Sequence, residues 1–226
     1  MTPPAASSGE APARIGRGTL VTLEGGEGSG KSTQARLLAA AMTRTGREVV
    51  LTREPGGTPL AEAIRALVLA ERPGSPLTEL LLFAAARVEH VTAVIGPALQ
   101  RGAVVICDRF IDSTRVYQGV VQGVDRDLII TLERSTLAGI RPDLTLMLDL
   151  EPSLGLARAT TRGSLSRFDA ADLAMHEAIR AGFLAIARDE PERCAVIAAG
   201  ASEDGVAAAI RDAVARRLPE LLQGAS

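Results

Sequence analysis

A glycine-rich segment near the N-terminus carries the residue types that bind the phosphates of a nucleotide. Residues 25–32 are Gly-Gly-Glu-Gly-Ser-Gly-Lys-Ser and match the pattern G-x-x-x-x-G-K-[ST]. Strand-forming residues precede the segment and helix-forming residues follow it, so we expect a turn from a strand into a helix. Such a turn aims several backbone N–H groups and the positive end of the helix at one point. The sequence therefore predicts a phosphate-binding loop in which Lys31 reaches the terminal phosphates and the hydroxyl of Ser32 holds Mg²⁺.

Lys31 is the only lysine among the 25 Lys and Arg residues of the chain. It lies where a compact ammonium on a flexible stem fits and a planar guanidinium would not. A glycine-rich turn with a stray lysine is the alternative, but glycines, lysine and hydroxyl seldom coincide at these offsets. Contacts to the triphosphate are expected from Gly25, Gly26, Glu27, Gly28, Ser29, Gly30, Lys31, Ser32 and Thr33.

Bulk composition limits the class of protein. The chain has 226 residues, of which 46% are hydrophobic and 23% charged, enough for a sizeable buried core. Aromatic residues make up only 2%, too few for a platform that stacks single-stranded bases. A net charge of −2 without a polybasic run argues against nucleic acid or an anionic membrane as the partner.

The cysteines and the N-terminus indicate a cytoplasmic protein with one domain. Cys107 and Cys194 lie in apolar runs typical of strands, so we expect buried, reduced thiols. We find no apolar stretch long and uninterrupted enough to cross a membrane. Residues 1–18 are rich in Pro, Ala, Ser and Gly and lack the apolar core of a signal peptide, which predicts a disordered tail. A single domain is then expected over residues 19–222.

Strand-like and helix-like segments alternate along that domain. Runs of strand-forming residues at 19–24, 48–52, 103–107, 144–150 and 194–198 predict five strands, with helical periodicity between them. This alternation favours a three-layer α/β domain with a parallel sheet. Ligands of open α/β sheets bind at the carboxyl ends of the strands, so residues at those ends are candidates for chemistry.

Two predicted strand ends carry such residues. Arg53 follows the second strand and begins an irregular Pro-Gly-Gly loop, for which a solvated turn is the alternative interpretation. Asp108 and Arg109 end the third strand, where a carboxylate facing the phosphate loop could orient hydrated Mg²⁺ and a guanidinium could grip a phosphate. The only tyrosine, Tyr117, lies in the next segment, residues 112–119, which we expect to be a nucleoside-binding loop.

A long helix is predicted to begin at Pro76 and to carry an i, i+4 pair, Phe83 and Arg87, on one face. The pair could be a core residue beside a solvated charge, or a stacking surface beside a hydrogen-bond donor for a planar base. Spacing alone favours the first interpretation. His90 and His176 have no metal-ligand partners at useful spacing, so we assign them no role.

Residues 158–169 form an arginine-rich, polar segment broken by a glycine. This composition suits a mobile lid that brings guanidinium groups over phosphates when it closes. Because arginine is frequent throughout the chain, an exposed loop with ordinary charges is the alternative.

Together these motifs resemble those of the bacterial thymidylate (dTMP) kinases, from about Thr19 to about Ala199. The Thr-Arg-Glu-Pro-Gly-Gly-Thr segment at 52–58 and the Asp-Arg…Ser-Thr…Tyr-Gln-Gly segment at 108–119 are far more specific than the phosphate loop alone. Phe83 with Arg87, and Arg-Pro-Asp-Leu at 141–144, add to the pattern. The tail before Thr19 has no counterpart in it.

The resemblance implies a P-loop kinase, homodimeric through the helix that begins at Pro76. It implies transfer of the γ-phosphate of ATP, with Mg²⁺, to dTMP, giving dTDP for dTTP synthesis. By the same resemblance Arg53 and Arg109 hold the dTMP phosphate, Phe83 stacks on thymine and Arg87 donates to it. The residues implied at the dTMP site are Glu27, Arg53, Pro55, Phe83, Arg87, Arg109, Ser113, Thr114, Tyr117 and Gln118.

Within that site the resemblance places Tyr117 under the deoxyribose, where it would obstruct a 2′-hydroxyl, and Glu27 against Arg109. Some members carry a catalytic arginine in the phosphate loop, whereas others place basic residues in the lid. This chain looks like the second kind, and we favour Arg162 over Arg158 as the lid arginine that meets the transferring phosphate. The implied catalytic residues are Lys31, Arg109, Arg158 and Arg162, and the implied metal ligands are Ser32 and Asp108.

Phosphoryl transfer of this kind needs in-line positioning and charge neutralisation but no general base, because the acceptor phosphate is already anionic. Two other functions stay open: a different nucleoside monophosphate kinase, for example for UMP or dUMP, and a non-catalytic P-loop nucleotide-binding protein. A regulatory GTPase would need an Asn-Lys-x-Asp motif, which a chain whose only lysine is Lys31 cannot have.

Overall fold

The computed structural model describes residues 18–70, 74–161 and 172–222, and within them five strands form one sheet. The strands are β1 (Thr19–Glu24), β2 (Val49–Arg53), β3 (Val104–Asp108), β4 (Leu144–Asp149) and β5 (Cys194–Ala198). Their order across the sheet is β2-β3-β1-β4-β5, and every neighbouring pair is parallel.

Helices lie between consecutive strands, and capping residues and prolines mark where some of them begin. Ser75 accepts a hydrogen bond from the Thr78 N–H, and Pro76 occupies the first helical position, so the third helix starts there. The helices are α1 (Lys31–Thr43), α2 (Pro59–Ala70), α3 (Pro76–His90), α4 (Gly96–Gln100), α5 (Ile111–Thr114), α6 (Arg126–Thr136), α7 (Pro152–Thr161), α8 (Leu173–Asp189) and α9 (Glu203–Arg217). Val91–Ile95 and Arg115–Val121 are π-helical turns, and Pro219–Leu221 is a 3-10 turn.

The core lies on both faces of the sheet because side chains alternate along each strand. On one face, Leu23 of β1 packs in a cluster with side chains of α1 and α9, such as Leu38 and Val214. On the other face, Leu20 packs in a second cluster with the segment around Ile95. The predicted three-layer α/β domain with a five-stranded parallel sheet is therefore confirmed.

Two features of the predicted secondary structure are wrong in detail. The predicted loop at 112–119 is helical, because α5 runs into the π-helical turn Arg115–Val121 without a break. The long helix from Pro76 is interrupted by a second π-helical turn, Val91–Ile95, just before Gly96 and Pro97. Cys107 and Cys194 are buried, free and within strands, as expected.

Among the described helices, one stretch, Pro76–Gln100, is long and apolar enough to cross a membrane, with a mean hydropathy of 1.4. The expectation concerned an uninterrupted apolar run, and charged residues interrupt this stretch, among them Glu79, Arg87 and Glu89. The stretch buries three polar side chains, Glu79, Arg87 and His90, which hydrogen-bond to other segments of the chain. These contacts are typical of a core helix.

The register of the sheet sets the carboxyl ends of three strands side by side. Asp108 of β3 pairs with Leu23 of β1 on one side and with Arg53 of β2 on the other. Glu24 is the next residue after Leu23, and the phosphate loop begins at Gly25. The candidate residues therefore meet at one edge of the sheet, as ligand sites of open α/β sheets do.

Candidate active site

The phosphate loop joins β1 to α1, and its glycines permit the turn. Gly28 has φ +70°, and a Cβ there would lie 2.0 Å from the carbonyl oxygen of Gly155 in α7. Gly30, the residue before α1, has φ +90°. Both φ values lie in the left-handed region that favours glycine. The loop is thus held tightly against α7 while it turns into the N-terminus of α1.

Lys31, the first residue of α1, is buried and folds back on the loop. Its Nζ donates to the carbonyl oxygens of Gly25 at 3.0 Å and Gly26 at 2.7 Å, and to Oγ of Ser29 at 3.3 Å. Burial and the positive charge of Arg109 lower the pKa of Lys31 from 10.5 to about 8, against the opposing effect of nearby carboxylates. A phosphate would supply the negative charge that this ammonium lacks among its hydrogen-bond acceptors.

A hydroxyl and a carboxylate meet beside the loop. Oγ of Ser32 donates to Oδ2 of Asp108, which brings the end of β3 against the start of α1. Both residues line the same cavity as Lys31. A hydroxyl beside one carboxylate supplies hard oxygen donors of the kind that Mg²⁺ takes together with substrate phosphates.

Glu27 joins the phosphate loop to Arg109 and Tyr117. Its Oε1 accepts from Nη2 of Arg109 at 2.9 Å and from the Tyr117 hydroxyl at 2.6 Å, and its Oε2 lies 3.6 Å from Nδ1 of His176. Burial alone would raise the pKa of Glu27, but His176 and the charges of Arg109 and Lys31 lower it well below its usual range. The Glu27 carboxylate is therefore held in its charged form, and His176, which had no expected role, contacts it.

Arg109 is the centre of this cluster and has a strained backbone, with φ +69° at a non-glycine residue. Its Nη1 donates to the Gly25 carbonyl oxygen at 3.2 Å and to Oγ of Ser113 at 3.1 Å. Its guanidinium carbon lies 5.2 Å from the centre of the Tyr117 ring, a cation–π distance. The unusual backbone is where the chain leaves β3 and turns into α5, beside the phosphate loop.

Arg87 is buried, contrary to the solvated charge that its spacing favoured. Its Nε donates to Oε2 of Glu54 at 2.8 Å, and its Nη2 donates to Oγ1 of Thr114 at 2.9 Å and to the Phe110 carbonyl oxygen at 3.2 Å. Nδ1 of His90 donates to the other oxygen of Glu54, Oε1, at 3.1 Å. Because Glu54 lies 33 residues before Arg87, sequence spacing within the helix could not reveal the pair.

One cavity of about 310 Å³ brings most of the predicted site together. The predicted residues that line it are Glu27, Gly28, Gly30, Lys31, Ser32, Thr33, Arg53, Pro55, Phe83, Arg87, Asp108, Arg109, Ser113, Thr114, Tyr117 and Gln118. Gly25 and Gly26 line a smaller neighbouring cavity with His176, and Ser29 is buried within the loop. The phosphate loop and the predicted nucleoside residues thus face a common space.

A family model for thymidylate kinase matches residues 23–210 of this chain. The chain belongs to the thymidylate kinase family. A thymidylate kinase of Caulobacter vibrioides is 53% identical over 204 residues, which cover 89% of this chain and 98% of that protein. One from Geobacter sulfurreducens is 47% identical over 210 residues, covering 89% and 99% of the two chains.

A solved structure supports the same assignment. Thymidylate kinase from Ehrlichia chaffeensis superposes with a TM-score of 0.74 at 35% identity, covering 87% of this chain and 98% of that one. The predicted family, fold and activity are therefore confirmed: the chain is an ATP-dependent dTMP kinase, a phosphotransferase whose substrates are dTMP and ATP.

The cavity is also lined by Arg65, Leu69 and Phe110, which were not among the predicted site residues, and by Glu54, which follows Arg53 at the predicted end of the second strand. Arg65 donates from Nη1 to the Pro55 carbonyl oxygen at 3.0 Å, which holds α2 against the loop after β2. Only the folded chain places Arg65 beside that loop, so its positive charge was the one signal in the sequence.

Glu24, the last residue of β1, also had no assigned role. Its carboxylate accepts from the N–H groups of Phe110 at 2.7 Å and Ser113 at 3.2 Å, and from Oγ of Ser113 at 2.6 Å. Burial, with Asp112 adding negative charge, raises the pKa of Glu24 to about 7. The residue ties the start of α5 to the phosphate-loop strand.

The structure describes only residues 158–161 of the predicted lid. Arg158 lies within α7 rather than in a flap, because helix continues to Thr161, and its Nη1 donates to the Ala199 carbonyl oxygen at 3.0 Å. It does not line the 310 Å³ cavity. Arg162 and Arg167 lie outside the described residues, as do residues 1–17 of the predicted tail. Gly18, the last residue of that predicted tail, is ordered, and its N–H donates to the Leu99 carbonyl oxygen at 3.0 Å.

Proposed function

We propose that the 310 Å³ cavity holds dTMP with its phosphate turned toward the terminal phosphate of ATP. The observation that carries this proposal is that one cavity is lined both by Lys31 and Ser32 and by Phe83, Arg109 and Tyr117. Holding two substrates in line converts a bimolecular transfer into an effectively unimolecular one.

The donor phosphates bind the backbone N–H groups of residues 25–32 and the N-terminus of α1. Lys31 leaves the carbonyl oxygens of Gly25 and Gly26 and pairs with the terminal phosphates, where the charge develops. Its resting contacts are all made within the loop, so the ammonium needs only side-chain rotation to reach a phosphate bound there.

Arg53 and Arg109 hold the phosphate of dTMP. Arg53 is half exposed and rests on Glu62, with Nη2 at 2.9 Å from Oε2. Such an exposed pair contributes at most about 1 kcal/mol, so a dianionic phosphate can displace the carboxylate. Arg65 lines the same cavity, close enough to feel the charge of Arg53, and adds positive charge there.

The nucleoside end is formed by five side chains that contact the base or the sugar. Phe83 stacks on thymine, Arg87 donates to the base, and Thr114 and Gln118 complete the base pocket. Tyr117, held by its hydrogen bond to Glu27, lies under the deoxyribose and obstructs a 2′-hydroxyl. Ser113 and Pro55 line the same space.

Mg²⁺ fits the oxygen donors of Ser32 and Asp108. The described residues contain no group of three His, Cys, Asp or Glu side chains that could hold a metal by themselves, which suits an ion shared with phosphate oxygens. When bound, Mg²⁺ neutralises charge on the donor phosphates. Asp108 and Ser32 orient it, and Arg162, with Arg158 as the second choice, closes over the transferring group.

The enzyme acts as a homodimer in the cytoplasm. Leu77, Leu81 and Val88 are exposed on one face of α3, and Leu60 and Leu67 are exposed on the adjoining α2, which together form an apolar surface suited to a second copy. The free, buried thiols suit a reducing compartment. Light scattering should give twice the mass of the 23.5 kDa chain, and a monomer at micromolar concentration would refute the dimer.

The arrangement is tested by coupled ADP release with Mg–ATP across dTMP, dUMP, UMP, CMP, AMP and GMP. We expect the highest kcat/KM for dTMP. Lys31→Met should abolish turnover without changing the circular dichroism spectrum. Near-normal kcat in this variant would refute the role of the phosphate loop.

A further inference from the structure

Glu79 is a buried carboxylate that the mechanism above does not use. It lies in the first turn of α3 and is 1% exposed. Its Oε1 accepts two amide hydrogen bonds, from Nε2 of Gln118 at 2.8 Å and from Nε2 of Gln122 at 2.7 Å. Negative charge is favoured in the first turn of a helix, so the position suits an ionised carboxylate.

The contact with Glu79 decides which way the Gln118 amide faces. An amide has nearly the same shape in its two flipped orientations, but its oxygen accepts hydrogen bonds and its nitrogen donates them. An ionised carboxylate only accepts. A flipped Gln118 would set its oxygen against Oε1 of Glu79, and two buried acceptors would face each other. Glu79 therefore fixes the Gln118 nitrogen on its own side of the pair.

Gln118 is 2% exposed and lines the cavity together with Phe83 and Arg87. With its nitrogen committed to Glu79, the amide oxygen is the group that it can offer as an acceptor to a base. Thymine carries an N–H donor at N3 between two carbonyl oxygens, whereas cytosine has an acceptor at N3 beside an amino group. The fixed orientation of the amide matches the first pattern and opposes the second.

We propose that Glu79 is a positioning residue for base selection: by locking the Gln118 amide, it makes the site prefer a base with N3–H over one with an N3 acceptor. This proposal rests on the proposed function, in which Gln118 belongs to the base pocket. Glu79 itself does not touch the base. Its effect is on the polarity of the pocket, not on its shape.

The test is Glu79→Gln, which keeps the size of the side chain but lets either amide of the pair present oxygen or nitrogen. We measure kcat/KM for dTMP and for dCMP by coupled ADP release with saturating Mg–ATP. The dTMP/dCMP ratio should fall by at least about tenfold, the worth of a hydrogen bond to a charged group. The change should lie in the KM values rather than in kcat. Arg87 is the same in every variant, so its own contribution to base choice cancels.

Glu89→Gln is the matched control, because it removes a carboxylate from the same helix at a residue that does not line the cavity. It should keep the wild-type ratio. A purely structural role for Glu79 would lower both kcat/KM values together and leave the ratio unchanged, and that result overturns the proposal. In a Gln118→Leu background, Glu79→Gln should no longer alter the ratio, and a persisting effect also overturns it.

A failure of the proposed function can be distinguished from a failure of the proposal for Glu79. If the wild-type enzyme itself does not favour dTMP over dCMP, the assignment of the base pocket fails before Glu79 is considered. If E79Q does not fold, Glu79→Asp decides, because its side chain is one methylene shorter and its carboxylate is withdrawn from Nε2 of Gln118. Its dTMP/dCMP ratio should also fall by at least about tenfold, and an unchanged ratio contradicts the proposal.

Discussion

The ammonium of Lys31 should lose its proton far below the pH at which an ordinary lysine does, and the use of Mg–ATP should report the loss. The side chain is 7% exposed, and burial together with the charge of Arg109 lowers its pKa from 10.5 to about 8. That difference corresponds to about 3 kcal/mol between the folded and unfolded proteins. Above pH 8 the ligand-free enzyme increasingly holds a neutral amine where the phosphates need a cation.

We therefore expect kcat/KM for Mg–ATP, at saturating dTMP, to be level below about pH 8 and to fall about tenfold per pH unit above it. The assay is coupled ADP release from pH 6.5 to 9.5. Lys31→Arg is the control: its guanidinium stays charged throughout this range, so turnover will be slow but the alkaline fall should disappear. Because Lys31 is the only lysine, protein labelled with ¹³C-lysine gives one side-chain signal for direct titration.

The lowered pKa of Lys31 also makes the free energy of unfolding depend on pH. The unfolded chain binds the Lys31 proton up to pH 10.5 and the folded enzyme only to about 8, so the free energy of unfolding rises between these values. Relative to the Lys31→Met variant, the free energy of unfolding of the wild type should rise by about 3 kcal/mol between pH 8 and pH 10.5 and stay level below pH 8. The lowered pKa of Lys31 would be refuted if kcat/KM for Mg–ATP stayed level up to pH 9.5 and the ¹³C signal of Lys31 titrated with a midpoint near pH 10.5.

Three other perturbations test separate parts of the site. Tyr117→Leu should narrow the preference for dTMP over the ribonucleotide by at least about tenfold in kcat/KM, through loss of the packing that obstructs a 2′-hydroxyl; an unchanged preference contradicts the packing idea. Arg162→Ala should lower kcat by at least about 10³-fold if this arginine stabilises the transferring phosphate, whereas a change confined to KM makes it a binding residue. Gly28→Ala should lower Tm by at least about 2–4 °C, because its Cβ meets the Gly155 carbonyl oxygen at 2.0 Å. Gly26→Ala, with nothing within 4 Å of its Cβ, should not change Tm.

The sheet could be predicted from the sequence because its strands are nearly continuous apolar runs bounded by glycine, proline and charge. Thr19–Glu24 and Cys194–Ala198 have the predicted bounds. The helical form of Arg115–Val121 could not be predicted from local signals, since Gly119 and β-branched valines weaken helix propensity there. Tertiary contacts support it: Val116 and Tyr117 pack in one cluster with Ile179 and Phe183 of α8.

The site could be predicted where a residue type and its strand end specify a role, and not where a distant partner decides. Asp108 and Arg109 follow directly from the end of β3. The burial of Arg87 depends on Glu54, and the buried Asp112 depends on Arg193, whose Nη atoms contact both of its oxygens at 2.7 and 2.8 Å. Separations of 33 and 81 residues leave no periodic signal, so only the folded chain shows these pairs.

The hydrogen-bond partners of Lys31, Arg53 and Arg87 separate these three cations into two kinds. Lys31 rests on loop carbonyls and Arg53 on an exposed carboxylate, so an arriving phosphate can replace either partner. For the exposed Arg53–Glu62 pair the cost is at most about 1 kcal/mol. Arg87 instead pairs with Glu54 at 2.8 Å where both side chains are about 5% exposed, and separating them would leave a buried charge unpaired. The first kind can move with the substrates, whereas Arg87 stays where it is. A fixed donor suits recognition of a flat base, and mobile cations suit a phosphate whose charge moves during transfer.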